Sequence, residues 1–429
     1  MRILSASAVF LVIIAGYVLP AKNTAHASEV RDFDNYLELL LEKDPDLKSL
    51  EYALEAKRLV PDQVESLPDP MVRFGLMNVP YDSFSMGQEG MTQKKISLMQ
   101  SFPAPGKRSM LRKLAEDDIE IASTMVPEKR LELAQRARTA FYRLRYLKNV
   151  RRIVLRDKKI LDGFIKVALA KYSVGKGLQQ NVLHAQVELT KMTDRLRRIE
   201  EKIAGIGNKL AVWVDLPLDT DWSGIEIGPL PDLGEDADFL LEEALAKRPM
   251  FKKMRTEIRK AENKVGLARL GLRPDYTVAF SYGQRDDGPM GPRDDFLSSS
   301  VTLKIPWWKN TKQEKKIAEN MILRRKAEQR LRSATFKTRE IIANLIETIR
   351  KDHDLLELYD TGLIPQASQS VEAAVAAYQV NKVDFLTLVT NQITLFNYEV
   401  KRDEIQFELN SGHTALWRML GRDGTEDAQ

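Results

Sequence analysis

Six methionines, Met71, Met77, Met86, Met91, Met99 and Met110, crowd one short stretch of this chain. Thioethers are soft ligands suited to Cu(I). Methionine is also an adaptable apolar filler, and filler is the preferred reading here. His353 and His413 have no carboxylate or cysteine at ligand spacing and are read as structural. The acidic pairs Asp117-Asp118 and Asp286-Asp287 are read as solvated helix and loop charge, because chemistry needs groups that converge in a dry pocket. No nucleophile–base constellation, phosphate-cradling glycine loop or dinucleotide fingerprint is present. These residues point to a protein that is not an enzyme and needs no cofactor or metal.

Composition narrows the class further. The chain has 429 residues, 30% of them charged, few aromatics, no cysteine and a net charge of +5. Such a composition suits long solvated helices better than one compact core. The basic excess is slight and is not interleaved with aromatics, so nucleic acid is not an expected partner. Arg2, the apolar run from Val9 to Val18 and the small-x-small site Ala25-His26-Ala27 read as a signal peptide over 1–27. That run is shorter than the roughly 20 residues a membrane helix needs. No later stretch approaches that length.

The elements that must position everything else occur twice. Asp44-Pro45 returns as Arg248-Pro249, 204 positions later, and Pro70 returns as Pro274 at the same offset. Phe102-Pro103 returns as Ile305-Pro306 after 203 positions, and Tyr172 to Gly175 returns as Tyr378 to Asn381 after 206. A repeat this long predicts two equivalent halves, 28–217 and 218–421, packed side by side and followed by a disordered tail over 422–429.

Each half reads as a helical segment, two strands and a very long helical hairpin. Asp32 to Val64 has a helical pattern broken at Asp44-Pro45, and Ala237 to Leu270 has one too. Val72, Phe74 and Leu76 alternate with Arg73, Gly75 and Met77. A second strand follows from Lys95 to Phe102. In the other half Tyr276, Val278, Phe280 and Tyr282 oppose Thr277, Ala279 and Ser281, and Phe296 to Ile305 alternates likewise. Ala134, Ala137, Phe141, Leu144 and Leu147 recur at helical spacing. That helix reads from Lys107 to Tyr172, about 65 residues or roughly 100 Å. Its counterpart reads from Lys309 to Tyr378, with Pro365 as its only internal proline. One return helix runs from Gln179 to Trp213; the other follows a turn at Gln379 to Val383 and runs through Leu388, Leu395 and Leu409 to Leu420.

Strands of about ten residues with one apolar and one small or polar face are the pattern of outer-membrane barrels. A closed barrel needs about eight strands or more, and one chain supplies four. Unpaired strand edges in lipid are costly, so several chains must share one wall, and three would give twelve strands. Trp307 and Trp308, where the last strand ends, and Tyr276 and Tyr282 near strand ends suit a membrane interface. Alternation alone leaves a second arrangement open: two amphipathic hairpins lying on a soluble helical body. The long helices, which carry Arg143, Arg145, Lys148, Arg151 and Arg152, belong in water.

Taken together, Tyr172-Ser173-Val174-Gly175 followed by Val182 to Gln186, Tyr378 to Leu386, the ending Leu416…Leu420-Gly421 and the strand exits Phe102-Pro103 and Ile305-Pro306 resemble the TolC-type outer-membrane efflux family over the whole mature chain. The runs Asp69-Pro70, Gly75 to Asn78, Met91 to Lys94, Phe102 to Lys107 and Leu363 to Gln366 are similar to its heavy-metal-efflux branch. The resemblance implies a fold that is mainly α with a small β part: duplicated long helical hairpins, and four strands contributing to a trimeric twelve-stranded barrel. It implies a homotrimer in the outer membrane of a Gram-negative bacterium, with a long periplasmic extension. It also implies a periplasmic adaptor and an inner-membrane pump as partners, and a passive conduit for solutes, heavy-metal cations among them. A secretion conduit for polypeptides with the same fold and a soluble periplasmic coiled-coil scaffold are the alternatives.

The resemblance also assigns sites. The hairpin tips, Tyr172, Val174, Gly175, Gly177, Tyr378, Val380, Asn381 and Asp384, would dock the adaptor tip to tip. Asn181, His184, Thr387 and Thr390 fall where the best-studied member of the family has an acidic periplasmic constriction. None of these four positions is acidic here, and Asp384, three positions upstream of Thr387, is the residue that could substitute in a cation-attracting ring. His184 would recur around a trimeric pore, and a three-histidine ring suits Zn or Cu; a packed or solvated helix residue is the preferred reading.

Overall fold

The computed structural model of the chain describes residues 30, 32–222, 224–225, 227–231, 234 and 236–423. The segment read as a signal peptide and residues 424–429 of the tail lie outside the described residues. The chain opens with α1 (Phe33–Lys43), α2 (Pro45–Arg58) and α3 (Val60–Glu65). Asp44 ends α1 and caps α2, accepting from the Leu47 N–H at 2.8 Å, with Pro45 in the first turn where its missing N–H costs nothing. A second break, not anticipated, falls at Leu59. Pro61 has no N–H to donate back to Lys57, so the α2 ladder stops and α3 starts afresh.

Next come β1 (Met71–Met77), β2 (Gln93–Phe102), α4 (Lys107–Ser173) and α5 (Gln179–Trp213). After a connector come α6 (Ala237–Lys247), α7 (Pro249–Leu270), β3 (Asp275–Gln284) and β4 (Phe296–Lys304). Pro249 separates α6 from α7, so the run read as one helix from Ala237 to Leu270 is two. The chain ends with α8 (Gln313–Leu358), α9 (Ile364–Gln379) and α10 (Phe385–Leu420). The order of helical segment, strand pair and long hairpin thus runs twice along the described chain.

The longest element, α4, has 67 residues, about 100 Å at the helical rise, and it passes through Pro127 unbroken. Its partner from the second half is not continuous. A π turn at Tyr359–Leu363 separates α8 from α9, with the Ile364 N–H reaching back to the Tyr359 carbonyl. Pro365 supplies the reason: lacking an N–H and crowding the preceding turn, it shifts the ladder by one residue just upstream. The helix also begins at Gln313 rather than Lys309, after a turn in which the Lys312 N–H donates to the Trp308 carbonyl at 2.9 Å.

The predicted apolar stripes hold the helices together. Ala134, Ala137, Phe141, Leu144 and Leu147 are all buried, the first four in a core shared with α1, α5 and the connector residue Trp222. Further along, Val154 and Leu161 of α4, Ala185 and Leu196 of α5, Tyr378 of α9 and Phe385 and Phe396 of α10 form the core of the shaft. A third cluster joins α6, α7, α8 and the end of α10 through Phe251, Ile342 and Leu420.

One charge reading is corrected. Asp117 is buried rather than solvated; it accepts from Arg259 Nε at 2.8 Å and Asn263 Nδ2 at 2.6 Å, and Asp118 is paired with Lys260. These bonds tie α4 of one half to α7 of the other. A buried carboxylate is tolerated because donors meet it on both oxygens. In the loops, Asp286 is paired with Lys94 at 3.0 Å.

Candidate functional site

The four strands form one antiparallel sheet in the order β1-β2-β3-β4, so β1 and β4 each leave one edge unpaired within the chain. The register aligns the faces. Phe74 stands opposite Ile96, Leu98 opposite both Val72 and Phe280, and Val278 opposite Val301. Directly opposed residues share a face, so the apolar positions of all four strands form one surface. Ser97, Ser281, Ser300 and Thr302 lie on the other.

The sheet curls, and its curvature has a sign. Ser97 and Ser281 are cross-strand partners, each 9% exposed, while the next pair, Leu98 and Phe280, is 52% and 59% exposed. The small, polar face is therefore concave and the apolar face convex. Phe74 at 76% and Leu297 at 82% show how fully the apolar face is left open. A contiguous apolar surface of this extent marks contact with lipid or another chain. The strands do not fold back on the helices. Trp307 and Trp308 are exposed just past β4, and Phe102 stacks on Tyr276 with ring centroids 5.2 Å apart at the same end of the sheet. Among the described residues no helix is long and apolar enough to cross a membrane.

At the far end of the hairpins the two tips lie side by side. Both close with the same helix-ending motif. In one, the Gly175 N–H donates to the Tyr172 carbonyl at 3.0 Å and the Lys176 N–H to the Lys171 carbonyl at 2.9 Å, with Gly175 at φ +74°. In the other, the Asn381 N–H donates to the Tyr378 carbonyl at 3.2 Å and the Lys382 N–H to the Ala377 carbonyl at 2.8 Å, with Asn381 at φ +60°. Gly177 is closely approached, since a Cβ there would lie 3.0 Å from the Tyr172 nitrogen. Asp384 caps α10 by accepting from the Thr387 N–H at 2.9 Å. Hydrogen bonds from the Thr387 side chain and backbone hold its carboxyl below the usual range. Val174 and Val380, equivalent in the two tips, are exposed, as is Tyr172; Tyr378 is buried against Phe385.

The remaining expected positions differ in exposure. Thr387 and Thr390 are exposed; Asn181 and His184 are half-buried. Within the single chain no three His, Asp or Glu side chains converge among the described residues. The methionines disperse: Met71 pairs with Met99 across β1 and β2, Met77 stands at the other end of β1, and Met110 fills a gap against Gly266 of α7.

Sequence reasoning missed one polar cluster, because its members come from distant stretches. Near the π turn, Arg156 of α4 pairs with Glu399 of α10, with a 2.9 Å bond, and with Asp157 at 2.9 Å. Asp157 also accepts from Gln392 at 2.7 Å, and Arg402 bonds Asp360 at 2.9 Å and Asp403 at 3.3 Å. Burial pushes the carboxyls of Asp157 and Asp403 up, against the arginines that favour their charged forms.

No protein-family model matches the chain, and no curated protein matches it. Solved structures do. The outer-membrane channel OprN is 14% identical, with a TM-score of 0.77 over 91% of this chain and 89% of that one. The outer membrane protein VceC from Vibrio cholerae is 17% identical, with a TM-score of 0.75 over 91% of this chain and 96% of VceC. The open state of the Neisseria gonorrhoeae MtrE outer membrane channel is 14% identical, with a TM-score of 0.73 over 93% and 91%. The fold of this chain is the one these outer-membrane channels share.

Proposed function

We propose that the chain is the outer-membrane channel of a tripartite efflux system. Three copies close a twelve-stranded barrel in the outer membrane of a Gram-negative bacterium, and their hairpins continue it as a long periplasmic tube. The protein is a passive conduit and not an enzyme; an inner-membrane pump supplies the energy and a periplasmic adaptor joins the two. The observation that carries this reading is the curled four-stranded sheet, apolar and exposed on its convex face, with both edges unpaired. In lipid such edges must find partners, and copies of the same chain provide them. The halves 28–217 and 218–421 then act as near-equivalent staves, six to a tube.

The paired tips are the adaptor-docking surface, with Tyr172, Val174, Gly175, Gly177, Tyr378, Val380, Asn381 and Asp384 as its residues. Exposed valines at equivalent positions support this, since closing a turn needs no apolar knob. Asn181, His184, Thr387 and Thr390 line the neighbouring constriction. A soluble scaffold would leave the convex face open to water, which its exposure disfavours. The resemblance to the heavy-metal branch makes metals one arm of the substrate test.

Membrane fractionation tests the channel reading: a heat-sensitive trimer on SDS gels from the outer-membrane fraction is expected, and a monomer in the soluble periplasmic fraction overturns it. Asp384→Lys should weaken adaptor capture more than trimer yield; equal loss of both removes the docking role. Susceptibility of a deletion strain across metals and organic toxins then identifies the cargo.

A further inference from the structure

We infer that the pore of this channel selects for anions, so that its cargo is a negatively charged or neutral solute rather than a free metal cation; the inference rests on the channel reading above. The strand register carries it. On the concave face, which faces the lumen of a closed barrel, the charged side chains are Arg73 of β1, Lys95 of β2, Lys304 of β4 and a single carboxylate, Asp275 of β3. Asp275 is already engaged: it accepts from Lys107 Nζ at 2.6 Å and the Ala104 N–H at 2.8 Å, and Lys304 stands directly across from it. Arg73 and Lys95 have no salt-bridge partner among the described residues. Threefold repetition of this face gives a wall with an excess of fixed positive charge.

The tips agree in sign. Across 167–187 and 373–398 the charged residues are Lys171, Lys176 and Lys382 against Asp384 alone, His184 aside. The positions that would attract cations, Asn181, His184, Thr387 and Thr390, hold no carboxylate. The loops beyond the outer strand ends have the opposite sign: 78–92 and 285–295 carry six carboxylates against two arginines. Asp286 is paired with Lys94, and Asp295 accepts from the Arg285 N–H at 2.9 Å, so part of that charge is committed.

Magnitudes favour an effect inside the barrel. A twelve-stranded barrel with strands about 4.8 Å apart and tilted about 40° has a radius of about 12 Å. The Debye length is about 30 Å at ~10 mM salt and about 8 Å at ~0.15 M. At low salt every point of the lumen feels the wall, and low-dielectric walls focus such potentials.

The test is the reversal potential of purified trimers in planar lipid bilayers, under a roughly ten-fold KCl gradient based near ~10 mM. A chloride-to-potassium permeability ratio above one is expected. The triple variant Arg73→Gln, Lys95→Gln, Lys304→Gln should lower that ratio by about two-fold or more, leaving the acidic mouth to set the sign. The double variant Arg73→Gln, Lys95→Gln, which leaves the Asp275 neighbourhood intact, should move it the same way and covers poor assembly of the triple. Potassium selectivity in the unmodified protein, or an unchanged ratio in both variants, overturns the inference and leaves the channel standing. Membrane-inserted trimers with no conductance steps overturn the channel reading itself.

Discussion

Lys171 Nζ lies 2.5 Å from the backbone oxygen of Tyr378 and 2.7 Å from Asn381 Oδ1, and it sits 4.0 Å above the centre of the Tyr378 ring. One ammonium therefore joins the two hairpin tips, which are about two hundred residues apart in sequence. The residue equivalent to Lys171 in the second half is Ala377, so the bond is made on one side of each tip only. The two tips are alike in backbone and asymmetric in this contact. The pair of tips within one chain is a unit.

Removing that ammonium should loosen the unit. Lys171→Ala deletes a charge-assisted hydrogen bond and a cation–π contact in a half-exposed site, together about 1 to 2 kcal/mol of local opening free energy. Hydrogen exchange of the amides from Tyr172 to Leu178 and from Val380 to Leu386 should speed up accordingly, with the strands unaffected. Unchanged exchange at both tips would show that each turn is held by its own backbone bonds.

The turn residues make a second comparison. Gly175 and Asn381 both sit in the left-handed region, at φ +74° and +60°. A residue with a Cβ pays about 1 to 2 kcal/mol there, and asparagine less than most. Gly175→Ala should therefore lower thermal stability of the tip measurably, whereas Asn381→Gly relieves the backbone but removes an acceptor of Lys171, so its loss should be the smaller. Equal losses from the two substitutions would mean that the Asn381 side chain, through its bond to Lys171, matters more than its backbone.

The convex face gives a third. Phe280 lies mid-strand on β3, opposite Leu98 and Ser299, with its ring exposed. Arginine at a lipid-facing position near the bilayer midplane costs about 2 to 4 kcal/mol. Phe280→Arg should reduce the yield of membrane-inserted trimer, while Ser281→Thr on the concave face should not. Normal trimer yield from the arginine variant would reverse the assignment of the two faces.

Strand faces were legible in the sequence because a period of two is local and the lipid-type alternation is strong from Val72 to Leu76 and from Tyr276 to Tyr282. The helical stripe through Ala137, Phe141 and Leu144 was legible for the same reason. Proline effects were legible in kind and not in place. Pro45 and Pro249 open new helices, yet Pro127 passes inside α4 and Pro365 produces a π turn upstream of itself; neighbouring packing decides between these outcomes, and it is not written locally. Charge partners were the least legible. Asp117 looks like any solvated helix carboxylate until Arg259 and Asn263 of α7 are brought against it, and Lys171 looks like any surface lysine until the second tip arrives. The candidate docking residues were visible as a repeated Tyr-x-Val motif, but the contact that couples them was not.

The buried acids near the π turn should give the shaft an unusual pH response. Desolvation outweighs Gln392 and Arg156 and leaves the Asp157 carboxyl above the ordinary range, and burial does the same to Asp403. Pairing with Glu399 first, and with Asp157, makes Arg156 hold its proton more tightly than usual, so burial of the carboxylate and attraction to the arginine act in opposite directions on one pair. For the carboxylates burial prevails. A folded pKa above the unfolded value, ~3.9 for aspartate, means that the folded state binds the proton more strongly. The associated stability is fully present below the unfolded value and is lost as pH rises through the folded one. Lowering the pH through the folded pKa toward the ordinary carboxylate range should therefore raise exchange protection factors along the α4–α10 contact around Val154 and Phe396, where most proteins with salt-bridged carboxylates would loosen. Asp157→Asn removes the titration while keeping an acceptor for Gln392. It should protect this contact relative to the unmodified protein at neutral pH, and the advantage should shrink as pH falls toward the ordinary carboxylate range. An advantage that grew on acidification would mean that the ion pair with Arg156, and not burial, governs Asp157.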